Sequence, residues 1–157
     1  MAAHDFHIIT TWRIPGRIAD IAAILTDAMS LPDWWGEVYL STAITAPGDE
    51  AGIGRKVAVH SKGRLPYSIH FTAELVSANM PHTWEIAATG DLTGQGIWRQ
   101  EQQGDVALVT YDWRVAADRP LFRRLAPVMR PLFAWNHNWA MSKGEAALKQ
   151  ELARRSA

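Results

Sequence analysis

Cysteine is absent from the 157 residues. That excludes disulfides, thiolate nucleophiles and every metal site built on sulfur. Charge of one sign is not in excess either: 16 Lys and Arg face 16 Asp and Glu, for a formal net charge of zero. Without a basic run, nucleic acid is not an expected partner. Long apolar runs are missing too, since no stretch approaches the roughly 18 consecutive apolar residues of a membrane span. The opening MAAHDFHIIT does not join a charged segment to an apolar one, so no signal peptide and a cytoplasmic location are expected. The histidines (His4, His7, His60, His70, His82 and His137) show neither H-x-H nor i,i+4 spacing on a predicted helix. No metal or other cofactor is expected. A nucleophile elbow, a phosphate-cradling glycine loop and an inward carboxylate pair are all lacking.

What is present is apolar and rich in indole. Apolar residues make up 48% of the chain and charged residues 20%, the balance of an ordinary globular domain, and the length suits one domain over 1–157. The eight tryptophans fall on most of the segments: Trp12, Trp34, Trp35, Trp84, Trp98, Trp113, Trp135 and Trp139. Indoles bring large apolar area and an N–H that wants a partner when buried. They suit aromatic core packing, and they suit equally the lining of a roomy pocket.

The chain opens on alternation. Phe6, Ile8, Thr10, Trp12 and Ile14 share one face of a strand ended by Pro15-Gly16. The spacing then turns helical through Ile18, Ile21, Ala22 and Leu25. Ser30-Leu31-Pro32-Asp33 opens a second short helix, on which Trp34 and Trp35 are expected to point apart, one inward and one at the rim of an opening. Six strands follow, over about 37–46, 54–61, 66–77, 83–89, 96–102 and 106–116, separated by turn-type sequences. Tyr67, Ile69, Phe71, Ala73 and Leu75 form an apolar face, as do Trp84, Ile86 and Ala88, and Val109, Tyr111, Trp113 and Val115. His70, Glu74, Arg99 and Asp112 fall on the wet faces. One apolar and one wet face per strand describes an antiparallel sheet covered on one side. Gly94 and Gly96 suit a bulge or a close backbone approach.

The last stretch reads as a long helix with Asp118 as N-cap and Pro120 in its first turn. Pro127 and Pro131 predict a kink or break, with a straight run from about Pro131 to Arg154. The apolar stripe passes through Leu125, Met129, Leu132, Asn136 and Lys143, with Met141 opposite and His137 towards that edge. A buried amide needs a partner or water. Asn136 therefore either meets a neighbouring strand while Lys143 reaches out to solvent, or faces a cavity.

The order of elements, with Leu31-Pro32-Asp33-Trp34-Trp35, Gly90-Asp91, Gly96-Ile97-Trp98, Val109-Thr110-Tyr111-Asp112-Trp113 and the run Phe133 to Glu145, resembles the START-like (SRPBCC) superfamily, in its bacterial polyketide cyclase/dehydrase-like branch. The resemblance spans essentially the whole chain. It implies an α+β helix-grip fold: a curved antiparallel sheet of about seven strands around a long C-terminal helix, with two short helices between strands 1 and 2. It also implies an internal cavity for a lipid, aromatic or polyketide-like ligand. Fold alone does not specify an activity.

Three functions stay open: binding of a hydrophobic small molecule, cyclisation or dehydration of a bound poly-keto substrate, and partner binding through an exposed Trp34 or Trp35. The residues expected to contact a ligand are Trp35, Tyr67, Phe71, Trp84, Trp98, Tyr111, Trp113, Met129, Leu132 and Asn136. For catalysis Tyr111 and Asn136 could polarise a carbonyl. A base is missing unless His60 or Lys143 points inward, and parity with Val57 and Val59 turns His60 outward. The chain is expected to be a monomer or homodimer.

Overall fold

A computed structural model describes residues 5–65, 68–117 and 120–156, with the side chains of 5, 117, 120–130 and 156 left out of the description. Strand β1 (Asp5–Pro15) leads into α1 (Ile18–Thr26), a 3-10 turn (Ala28–Ser30) and α2 (Leu31–Trp34). Strands β2 (Tyr39–Ala46), β3 (Lys56–Lys62), β4 (Ser68–Asn79), β5 (Thr83–Gly90), β6 (Leu92–Gln103) and β7 (Val106–Ala117) precede α3 (Pro120–Ser156). All seven strands form one antiparallel sheet in the order β1-β7-β6-β5-β4-β3-β2.

Alternation sets the faces as read. Trp12, Ile14, Trp84, Trp98, Val109, Tyr111, Trp113 and Val115 are buried on the concave side. The convex side carries charge: Asp112 Oδ1 lies 2.8 Å from His7 Nε2, its Oδ2 3.9 Å from Arg99, and Lys56 stands 4.0 Å from Glu74. His60 also faces outward and stacks on its cross-strand neighbour His70, with ring centroids 4.1 Å apart. Gly96 is a close approach, because a Cβ there would fall 2.5 Å from the Tyr111 hydroxyl and 2.9 Å from the Trp113 ring.

Helix α1 buries Ile18, Ile21, Ala22, Ile24 and Leu25. Its first turn has no side-chain cap from Arg17. Instead Ile18 N–H donates to Gln102 Oε1 at 2.9 Å, so a strand side chain satisfies a donor that the helix leaves open. The two indoles do not point apart as expected. Trp35 leaves the helix with non-helical torsions (φ −121°, ψ 40°), and its ring lies beside that of Trp34, centroids 5.4 Å apart.

The long helix departs from expectation in two ways. It shows no break at Pro127 or Pro131 and runs as one helix through both. Its buried face is also turned by one residue from the stripe read in the sequence. Met141, Leu148 and Leu152 are buried, whereas Leu132 is 42% exposed and Trp135 50%. The face that meets the sheet carries Phe133, His137, Ala140, Met141, Gly144 and Leu148. A histidine and a glycine add nothing to an apolar pattern, so the pattern followed the neighbouring leucines. Asp118 and Tyr67 lie outside the described residues, as does the Met129 side chain. Near the helix end Glu151 is 7% exposed and accepts hydrogen bonds from Arg154 and Arg155, which hold its carboxyl down at about 2.

Candidate functional site

Helix α3 lies along β1 and spans the concave face. Phe133 meets Phe6 edge to face at 5.0 Å, and twelve residues on Glu145 accepts a hydrogen bond from Arg13 N–H at 3.3 Å. Between helix and sheet is a cavity of about 260 Å³. That is near the lower edge of small-molecule pockets. Most of its lining is apolar, from β3, β4 and β5 (Val57, Val59, Ile69, Phe71, Ala73, Leu75, Ile86) to β1 and α3 (Phe6, Ile8, Phe133, Ala140, Met141).

Register builds an aromatic wall on the other side. Trp84 pairs with Trp98 across β5 and β6, and Trp98 with Tyr111 across β6 and β7. The rings follow at centroid separations of 6.0 Å for Trp84–Trp98, 4.1 Å for Trp98–Tyr111 and 5.5 Å for Tyr111–Trp113. Their planes differ by 19°, 24° and 24°. His137 extends the series from the helix, 5° from the plane of Trp113 at 6.4 Å. Trp35 closes one end, its Nε1 donating to Ala140 O at 3.1 Å and its ring edge-on to Trp12 and Tyr39.

Of the residues singled out from sequence, Trp35, Phe71, Trp84, Trp98, Tyr111, Trp113 and Asn136 border the cavity. Leu132 does not: the helix phase puts it outside. Trp35 is 3% exposed and cannot serve as the surface contact of a partner-binding module. Asn136 both borders the cavity and finds a backbone partner. Its Oδ1 accepts from Arg64 N–H at 2.6 Å and Leu65 N–H at 3.3 Å, fastening the β3–β4 connection to the helix. Lys143 points outward, 3.9 Å from Glu37 and 5.8 Å from the Trp139 ring.

Sequence reasoning missed His137 and Tyr39. Burial pushes His137 down to about 4 and Tyr39 up to about 12. Tyr111 is raised well above its ordinary value, mainly by burial and further by the neighbouring Tyr39. All three therefore stay uncharged near neutral pH, the phenols as donors and the imidazole as a neutral ring. Neither had a signal in the pattern: Tyr39 shares its parity with the exposed Glu37, and His137 had only its place beside Asn136. Among the described residues no three His, Asp or Glu side chains come together in a metal-binding group.

A seven-stranded antiparallel sheet gripping a C-terminal helix, with short helices between the first two strands, is the helix-grip fold of START-like proteins. Comparison with solved structures agrees. The chain is similar to a START superfamily protein from Mycobacterium smegmatis (14% identity, TM-score 0.77, 94% of this chain and 97% of that one). It is similar also to the ZhuI aromatase/cyclase from Streptomyces sp. R1128 (15% identity, TM-score 0.74, 98% and 97%). A norcoclaurine synthase point mutant from Thalictrum flavum, in complex with a transition-state analogue, matches at 14% identity and TM-score 0.64 over 98% and 97%. No protein-family model and no curated protein matches the sequence. At such identities the likeness is one of fold.

Proposed function

We propose that the chain binds a flat, hydrophobic small molecule between the sheet and α3. The observation that carries this reading is the row of near-parallel rings from Trp84 to His137 along one side of a mostly apolar cavity. A planar ligand can lay its face against the edges of such a row, the edge-to-face arrangement that aromatic rings favour. The neutral dye N-phenyl-1-naphthylamine tests it. Its fluorescence should rise on binding one site per chain in the micromolar range, about −8 kcal/mol. Ala140→Phe, which pushes a ring from the helix into the cavity, should weaken binding at least tenfold while leaving the circular dichroism unchanged. Saturable binding that ignores the substitution would contradict the proposal.

A second reading is cyclisation or dehydration of a bound poly-keto chain; several solved structures of this fold are named aromatase/cyclases. One observation favours it. Tyr39 and Tyr111 can polarise a carbonyl, and the buried neutral His137 is a base that the sequence reading lacked. Turnover of a poly-β-keto thioester, lost in Tyr111→Phe, would raise this reading above simple binding.

A further inference from the structure

We infer that His137 and Tyr111 form a hydrogen-bonding anchor for a neutral ligand oxygen, a ring hydroxyl or ketone, which disfavours a carboxylate in the same place. The inference rests on the cavity reading above and adds the chemistry of the occupant.

His137 Nε2, on the cavity lining beside the aromatic wall, is buried and has no hydrogen-bond partner. The Tyr111 side chain borders the same cavity and falls on the concave face by alternation with Trp113. His137 sits above β1, between the Phe133–Phe6 contact and the Glu145–Arg13 hydrogen bond, and its ring is 6.4 Å from that of Tyr111. Buried groups of this kind are ordinarily paired, and leaving them unpaired costs free energy that an entering hydroxyl or carbonyl recovers. A hydroxyl can donate and accept, so it can serve whichever imidazole tautomer is present.

Charge argues for a neutral oxygen. The two cationic residues that border the cavity point elsewhere. Arg55 is turned to the β2–β3 loop, where its Nε donates to Pro47 O at 3.4 Å, and Lys62 follows the inward Ser61 with its own side chain exposed. His137 and Tyr111 owe their shifts to burial, with no cation contributing to either. A carboxylate placed between them would lose its hydration and gain no counter-charge.

Isothermal titration at pH 7 with 2-naphthol, 2-methylnaphthalene and 2-naphthoate tests the anchor. We expect 2-naphthol to bind at least tenfold more tightly than either of the others. His137→Leu should weaken 2-naphthol about tenfold and leave 2-methylnaphthalene within twofold. Tyr111→Phe, which keeps the ring stack and removes one oxygen, should weaken 2-naphthol several-fold and decides the matter if His137→Leu does not fold. Equal binding of 2-naphthol and 2-methylnaphthalene, unchanged in both variants, would mean that these groups hold water only, and would overturn the anchor while the cavity stands. Tightest binding by 2-naphthoate would overturn the neutrality of the site. If none of the three binds, the cavity reading itself fails and the anchor falls with it.

Discussion

Gly144→Ala should lower the stability of this protein by about 2 kcal/mol, although helix propensity alone favours alanine over glycine by about 1 kcal/mol. A Cβ at position 144 would lie 2.8 Å from Trp35 Cη2 and closer still to two other ring atoms. The indole cannot swing aside cheaply. Its Nε1 is tied to Ala140 O, and Trp12, Trp34 and Tyr39 hold its ring at centroid distances of 5.8, 5.4 and 5.0 Å. Overpacking a filled site of this kind typically costs 1–3 kcal/mol. For a domain of this size the loss corresponds to roughly 4–8 °C in Tm, measurable by thermal and urea denaturation. A variant as stable as the parent, or more so, would show that Trp35 does not hold the helix in place.

Acid should destabilise the protein through His137. In the folded state burial holds this imidazole at about 4 against an ordinary 6.5, so the unfolded chain binds the proton more readily. Stability from keeping His137 neutral is fully present above about pH 6.5 and is lost as pH falls through 6.5 towards 4. The span of the shift corresponds to about 3 kcal/mol at 1.36 kcal/mol per unit. His137→Leu should remove that dependence, so urea midpoints of parent and variant converge or cross as pH drops from 7 to 4. Glu151 acts in a separate window: its depressed carboxyl contributes above about 4.5 and is lost only as pH falls towards 2. Parallel pH profiles for parent and His137→Leu would contradict the burial of the imidazole.

The sheet was legible because its signals are local and redundant. Alternation through Val109, Tyr111, Trp113 and Val115, or through Trp84 and Ala88, names the concave face whatever the register, and the turn residues between strands bound each one. For the same reason most of the aromatic cavity lining could be read from the strands. The helix was less legible. Its face was read from Leu132 and its apolar neighbours, but Leu132 and Trp135 are exposed, and the side that meets the sheet includes His137 and Gly144. Gly144 is there because Trp35 occupies the space, and His137 because that side of the helix faces the cavity. Neither reason is a property of the helix sequence; both come from chain more than a hundred residues away or from the enclosed space. The pairing of Trp34 with Trp35 was missed similarly, since it depends on where the short helix ends.

The most direct test of the cavity uses the eight tryptophans as reporters. Indole N–H resonances of the 15N-labelled protein, assigned by single substitutions, would be followed while N-phenyl-1-naphthylamine is added. Occupation of the cavity predicts that Trp35, Trp84, Trp98 and Trp113, which border it, shift together and saturate at one ligand per chain, while the exposed Trp135 on the outer side of α3 stays in place. Shifts confined to Trp135, or a spectrum that does not respond, would contradict a ligand held between the sheet and the helix.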